Sequence, residues 1–212
     1  MNRTKCLSCG YEGLAFDNFM DLSVEIPRKA IRYLGSIKVT ECLDKFIESE
    51  KMINCGYKCD GCKKPVSVEK DLTIYRFPRI LVIHLKRFYH SMMRREKLNT
   101  TVSFPEVLDV KKYAPHSNHS SKSNAVYKLF GISHHSGSLY GGHYICEVYN
   151  FSNKNWYNCN DSHVSRISNP DTSSSSAYVL FYVMQNSWIT QNKSCTPSAK
   201  LWFASSISAH LI

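Results

Sequence analysis

Gly141-Gly142-His143-Tyr144-Ile145-Cys146-Glu147-Val148-Tyr149, followed shortly by Trp156-Tyr157-Asn158-Cys159-Asn160-Asp161, is the stretch on which the fold turns. Two glycines lead into an alternating run, the period of a strand, and a second run ends on Asn160 and Asp161. A hairpin joining the two runs brings a carboxamide and a carboxylate toward the imidazole. His143 then stands where a flexible loop meets a rigid strand, a place suited to a general base that substrate reaches over the glycines. An Asn or Asp partner selects the tautomer whose free nitrogen can take a proton from a thiol. The same residues also read as a turn histidine beside a capped strand end, and this stretch alone does not choose between them.

Outward from the hairpin, most of the chain reads as sheet. Residues 79–88 (RILVIHLKRF) are nearly continuous apolar at their start, as expected of a strand covered on both faces. Further strands are predicted over 127–133, 143–149, 155–160 and 177–184. Upstream, Val66, Val68, Leu72 and Ile74 alternate, and Phe16, Met20, Leu22, Val24 and Ile26 predict one half-buried strand. Val39, Cys42, Leu43, Phe46 and Ile47 fall at i, i+3, i+4, i+7 and i+8, the apolar stripe of one short helix. The class is therefore α+β, with sheet dominant. Residues 116–124 and the serines at 173–176 have loop composition, and 186–212 lack a period and read as a tail. His84, inside its apolar run, is expected to be a satisfied core histidine.

At 212 residues with 43% apolar and 21% charged content, the chain has the makings of a folded domain with a core. The net charge of +10 invites a nucleic-acid reading, but the basic residues are scattered and lack the interleaved aromatics of a single-strand platform. No membrane partner is expected, because the longest apolar run is far too short to span a bilayer. Residues 1–10 carry no export signal, so the cytoplasm or nucleus is expected, where nine cysteines favour metal over disulfides.

Cys6-Leu-Ser-Cys9 and Cys59-Asp-Gly-Cys62 are two C-x-x-C knuckles, and together they offer the four thiolates of a closed structural zinc site. Gly10 and Gly61 are expected to allow the tight turns that aim backbone N–H groups at sulfur. One zinc ion is therefore predicted, with Cys55 a spare thiol.

Taken in order, C-x-x-C, C-x-x-C, I-L-V-I-H-L-K-R-F, S-G-S-L-Y-G-G-H-Y, W-Y-N-C-N-D-S-H-V and A-Y-V-L-F-Y resemble the C-terminal half of the ubiquitin-specific proteases. The resemblance implies a papain-like fold with zinc-ribbon β fingers over 1–75 and a partial β palm over 76–185, the tail following. It implies that the helical thumb and the nucleophilic cysteine box are missing here. By resemblance His143 is the general base of a thiol protease, Asn160 its third member and Asp161 the adjacent acid. Residues 89–97 and 137–142 become two loops overhanging the ubiquitin tail, with His135, Gly141, Gly142 and Tyr144 lining the substrate channel. His134 is a further channel candidate. The partner implied is ubiquitin or ubiquitinated protein, and the activity is cleavage of the (iso)peptide bond at the ubiquitin C-terminus. Cys42, Cys146, Cys159 and Cys195 lack the setting of a nucleophile, so this chain alone is expected to be inactive. A non-catalytic ubiquitin-binding module is the alternative.

Overall fold

The computed structural model describes residues 1–27, 35–90, 95–115, 125–138 and 141–185. In chain order the elements begin with β1 (Asn2–Cys6), β2 (Glu12–Ala15), β3 (Leu22–Glu25), β4 (Ser36–Lys38) and helix α1 (Val39–Phe46). Strands β5 (Glu50–Lys58), β6 (Pro65–Leu72), β7 (Ile80–Lys86), β8 (Phe88–His90), β9 (Arg95–Lys97), β10 (Thr101–Ser103) and β11 (Val107–Asp109) follow. A short 3-10 turn precedes β12 (Val126–Gly137), β13 (Gly142–Asn150), β14 (Asn155–Asn160), β15 (His163–Ile167), β16 (Ser173–Ser174) and β17 (Ala177–Met184). The fold is mostly β with one α-helix among the described residues, and none of these is a helix long and apolar enough to cross a membrane.

Two sheets matter for the site. Four strands in the order β2-β1-β6-β5 form an antiparallel finger sheet. The palm sheet runs β15-β14-β13-β12-β17-β7-β3, with β11 added against β12. The main core lies on one face of the palm and includes Leu81, Ile83, Leu85, Leu129, Ile132, Leu180 and Tyr182. Helix α1 adds Val39, Cys42 and Leu43 to it, the i, i+3, i+4 stripe. Glu41 reaches back to the Lys38 N–H at 3.2 Å, and Lys45 lies in the last turn, so both ends complement the helix dipole.

Residues 1–75, grouped by sequence, are split in space: β3 joins the palm through parallel pairing with β7, and α1 packs on the palm core. The predicted strand from Phe16 to Ile26 is shorter than its alternation suggested. Only Leu22–Glu25 is strand, while Phe16 is 58% and Met20 86% exposed. Phe16 sits edge-on to Tyr75 instead, with ring centroids 4.8 Å apart.

Strand β7 buries Leu81, Ile83 and Leu85 fully and Ile80, Val82 and His84 only in part, so its second face is less completely covered than the first. His84 packs edge-on to Tyr178, ring centroids 4.7 Å apart, but it is only half satisfied. Its Nδ1 meets Ser23 Oγ at 3.0 Å, its Nε2 has no partner, and burial lowers its pKa. The serine stretch is not all loop: β16 pairs with β10, and Ser174 is buried. The first expected overhanging loop is tied by a β8–β9 hairpin. The 116–124 loop, the 186–212 tail with Cys195, and residues 91–94 and 139–140 of the two overhanging segments lie outside the described residues.

Arg87, between β7 and β8, is fully buried. Its guanidinium donates to the carbonyls of Ala177 (2.6 Å), Leu98 (2.9 Å), Thr100 (2.8 Å) and Ser174 (3.1 Å). Burial pulls its pKa down to about 10. One side chain thus fastens the segment after β9 to the segment leading into β17.

Candidate active site and zinc centre

The two knuckles are built alike. Cys6 N–H donates to Tyr11 O and Gly10 N–H to Cys6 O, while Cys59 N–H donates to Lys64 O and Lys63 N–H to Cys59 O. Gly10 (φ +74°) and Lys63 (φ +59°) hold the left-handed position after the second cysteine of each pair. Gly61 serves a different purpose from the one expected: a Cβ there would stand 2.8 Å from Tyr11 Cβ, so it is the approach of the two knuckles that excludes a side chain. Backbone N–H groups of Cys9 and Gly61 point at the sulfurs of Cys6 and Cys59 at 3.4 and 3.3 Å.

The four sulfurs of Cys6, Cys9, Cys59 and Cys62 lie within 4.8 Å of one another, and the Cys9 and Cys59 sulfurs are 3.7 Å apart. The Cys9 N–H, aided by neighbouring sulfurs, pulls the Cys6 thiol down to about 6. At Cys9 the Tyr11 backbone acts in the same direction, but the adjacent sulfurs outweigh it and push the thiol up to about 11. Four thiols this close cannot all ionise without a cation between them, and the donor set fits one structural zinc. When bound, zinc neutralises these thiolates and ties β1 to the turn before β6. Cys55, exposed in β5, stands apart from the cluster, its thiol facing the Val66 carbonyl at 3.5 Å.

At the far end of the palm, β12, β13 and β14 bring the histidine and its partners together. In the β13–β14 register Cys146 faces Cys159. His143 lies three residues from the first and Asn160 one from the second, so strand alternation puts both on the same face. His143 Nε2 is 2.6 Å from Asn160 Oδ1. The amide oxygen accepts, which places the imidazole proton on Nε2 and leaves the Nδ1 lone pair free. Asp161, in a left-handed conformation (φ +50°), holds its carboxylate 3.9 Å from the same Nε2. Asn160 is therefore the closer orienting group.

His135, opposite Tyr144 in the register, lies on the other face of the sheet from His143. It is buried, lowered in pKa by that burial and by Lys97, and packed against a tilted Tyr144 ring at 4.6 Å and edge-on to Phe88 at 5.5 Å. A Cβ on Gly142 would collide with the His135 ring, so the glycine admits this close packing. His135, Gly142 and Tyr144 thus meet, whereas Gly141 is exposed with open space about it. His134 is packed inside: Nδ1 is 3.0 Å from Ser176 Oγ, and Nε2 lies 3.8 Å from Glu147. Burial pushes the Glu147 carboxyl up, but His134 and the Asp171 N–H (2.8 Å) outweigh it and hold the group below its usual range.

Sequence reasoning missed Lys97. Its ammonium donates to the carbonyls of His135 (2.6 Å) and Gly137 (3.4 Å), lashing the β8–β9 hairpin to the glycine turn that precedes His143. No spacing signal marks a lysine that bonds backbone carbonyls. Among the described residues no thiol is hydrogen-bonded to His143. Cys42 is fully buried, and that burial pushes its thiol up to about 12.

Residues 1–182 match the family model described as "Ubiquitin carboxyl-terminal hydrolase". The chain belongs to the ubiquitin carboxyl-terminal hydrolase family. It is similar to ubiquitin carboxyl-terminal hydrolase 2 of Gallus gallus, 40% identical over 181 residues, which are 84% of this chain and 48% of that protein. It is likewise similar to ubiquitin carboxyl-terminal hydrolase 21 of Homo sapiens, 37% identical over 183 residues, 84% of this chain and 31% of that protein. Among solved structures, the SAGA DUB module Ubp8/Sgf11/Sus1/Sgf73 bound to ubiquitin aldehyde superposes with a TM-score of 0.71 at 32% identity. That match covers 86% of this chain and 40% of the other. The chain thus spans less than half the length of these relatives. The family is one of thiol-dependent ubiquitinyl hydrolases, and the fold is that of the ubiquitin-specific proteases, with the four-cysteine cluster in its fingers.

Proposed function

We propose that this chain supplies the general-base half of a thiol-dependent ubiquitin hydrolase and turns over substrate only when joined to a cysteine nucleophile from outside these 212 residues. What carries the reading is the 2.6 Å bond from His143 Nε2 to Asn160 Oδ1. It leaves Nδ1 as the basic atom, set on a strand end beside a glycine turn. In the reaction Nδ1 takes the proton of the attacking thiol and then returns it to the departing amine of the lysine or peptide. Asn160 holds the ring plane throughout, and Asp161 stabilises the imidazolium from a greater distance. His135, Gly142 and Tyr144 pack together on the opposite face of the sheet and brace the strand that carries the histidine, and ubiquitin is the partner that the structural relatives suggest. Zinc keeps the fingers folded and takes no part in the proton transfers.

A fluorogenic ubiquitin C-terminal substrate tests the reading. The 212-residue chain should release no fluorophore, while a longer protein including the part of the relatives that this chain does not cover should. In that longer protein His143→Ala should abolish turnover, since general-base help is worth about 10²–10⁴-fold. Asn160→Ala should lower it less, with Asp161 partly holding the ring. Turnover by the short chain, or an unaffected His143→Ala, would overturn the proposal. Ubiquitin binding with neither form active would favour the non-catalytic module.

A further inference from the structure

Cys146 of β13 and Cys159 of β14 are directly opposed in the antiparallel register. Directly opposed residues on such strands have Cα atoms about 4.5–5.5 Å apart, within the 4.4–6.8 Å span that a disulfide bridges. Both cysteines are free and half-buried. By strand alternation the pair sits on the face away from His143 and Asn160, so neither sulfur belongs to the histidine site or to the zinc cluster.

We propose that Cys146 and Cys159 form a reversible cross-strand disulfide in response to a hydroperoxide, a modification site separate from the hydrolase chemistry. The Cys159 thiolate attacks one peroxide oxygen; the O–O bond breaks, the sulfur becomes a sulfenic acid, and the departing oxygen leaves as water after taking up a proton. The Cys146 sulfur then attacks that sulfenic sulfur. The S–S bond forms, the S–O bond breaks, and hydroxide leaves as water with the Cys146 proton. Two thiols are oxidised by two electrons and one hydrogen peroxide is reduced to two waters. The order of the two thiols follows from Cys146, whose burial and neighbouring sulfur push its thiol up to about 12 and keep it protonated until the second step. A thiol reductant reverses the bond. Because Asn160 directly follows Cys159, the covalent link pins the strand end that orients His143.

Zinc-loaded wild-type chain treated with hydrogen peroxide and then alkylated, digested and read by mass spectrometry tests this. The expected result is one linked peptide pair joining Cys146 to Cys159, about 2 Da lighter than the reduced pair and lost on dithiothreitol treatment. Exposed Cys55 reports that oxidant was sufficient. Cys146→Ser should instead leave Cys159 as sulfenic acid, trapped by dimedone, with no linked pair. Since that variant needs only the intact hairpin, hydrogen-exchange protection of β13 and β14 confirms that it is folded. Alkylation of both Cys146 and Cys159 after Cys55 is oxidised, or irreversible sulfinic acid at Cys159 in wild type, would overturn the proposal.

Discussion

Replacing Arg87 by leucine removes the guanidinium that four backbone carbonyls share. Two of those acceptors, Ala177 O and Ser174 O, are reached by bonds buried from solvent, while Leu98 O and Thr100 O sit where water can enter. Each buried group left without a partner costs about 1–3 kcal/mol, giving about 2–6 kcal/mol for the pair. Working against this is relief from burying a cation, the same burial that draws the Arg87 pKa down to about 10. The balance should be a net loss of about 3 kcal/mol, near the low end for breaking a buried charged network. For a domain of ordinary stability, about 5–15 kcal/mol, that is a large fraction. Urea unfolding of zinc-saturated protein, followed by far-UV circular dichroism, should show the midpoint falling with the slope unchanged. Arg87→Lys should lose a similar amount, because one ammonium cannot reach acceptors on two separate segments. A leucine variant within about 1 kcal/mol of wild type would refute the reasoning, since the carbonyls would then be satisfied without the guanidinium.

Metal analysis should give one zinc per chain, lost in Cys62→Ser. Chelation should strip hydrogen-exchange protection from β1, β2, β5 and β6 while β12, β13 and β17 keep theirs, because among the described residues the finger core is the small cluster of Cys6, Cys59, Val66 and Val68 with Met52 and Cys62 against it. Lys63→Gly should raise the melting temperature of the fingers by relieving a left-handed lysine worth about 1 kcal/mol; Lys63→Ala, which keeps a Cβ, should not. Lowering the pH below 6.5 should weaken the palm. His84 and His135 have folded pKa values below their unfolded ones, so the unfolded chain gains protons first and stability falls as pH drops. In His84→Phe the difference in melting temperature between pH 7.5 and pH 5.5 should shrink.

The features legible in the sequence were those with a period or a fixed spacing. The C-x-x-C pairs, the α1 stripe, and strands β13, β14 and β17 needed no tertiary knowledge. Alternation misled at Phe16 and Met20, where intervening Asp17, Asn18 and Asp21 break the strand and the apolar side chains stay in solvent. Val82 and His84 look like full core in the sequence because an apolar run does not record how completely each face is covered. Gly61 was read through its own backbone freedom, but the neighbouring Tyr11 is what forbids a side chain, a contact made across the fold. Arg87, Lys97 and Glu147 were invisible for one shared reason. Their partners are backbone atoms or residues far along the chain, and no local pattern records them.

The parallel pairing of β3 with β7 has a bearing on the order in which the chain assembles. Ser23 and His84 lie 61 residues apart, with finger strands β5 and β6 between them and β1 and β2 ahead of both. Clamping Cys9 to Cys59 through metal shortens the loop to be closed to roughly 40 residues, and closure entropy varies only with the logarithm of length. The saving is less than about 0.5 kcal/mol, a factor of about two in rate. Palm assembly is consequently nearly indifferent to when the ion arrives. A newly made chain can thus close its large sheet before the fingers are loaded, and late metallation carries little kinetic penalty.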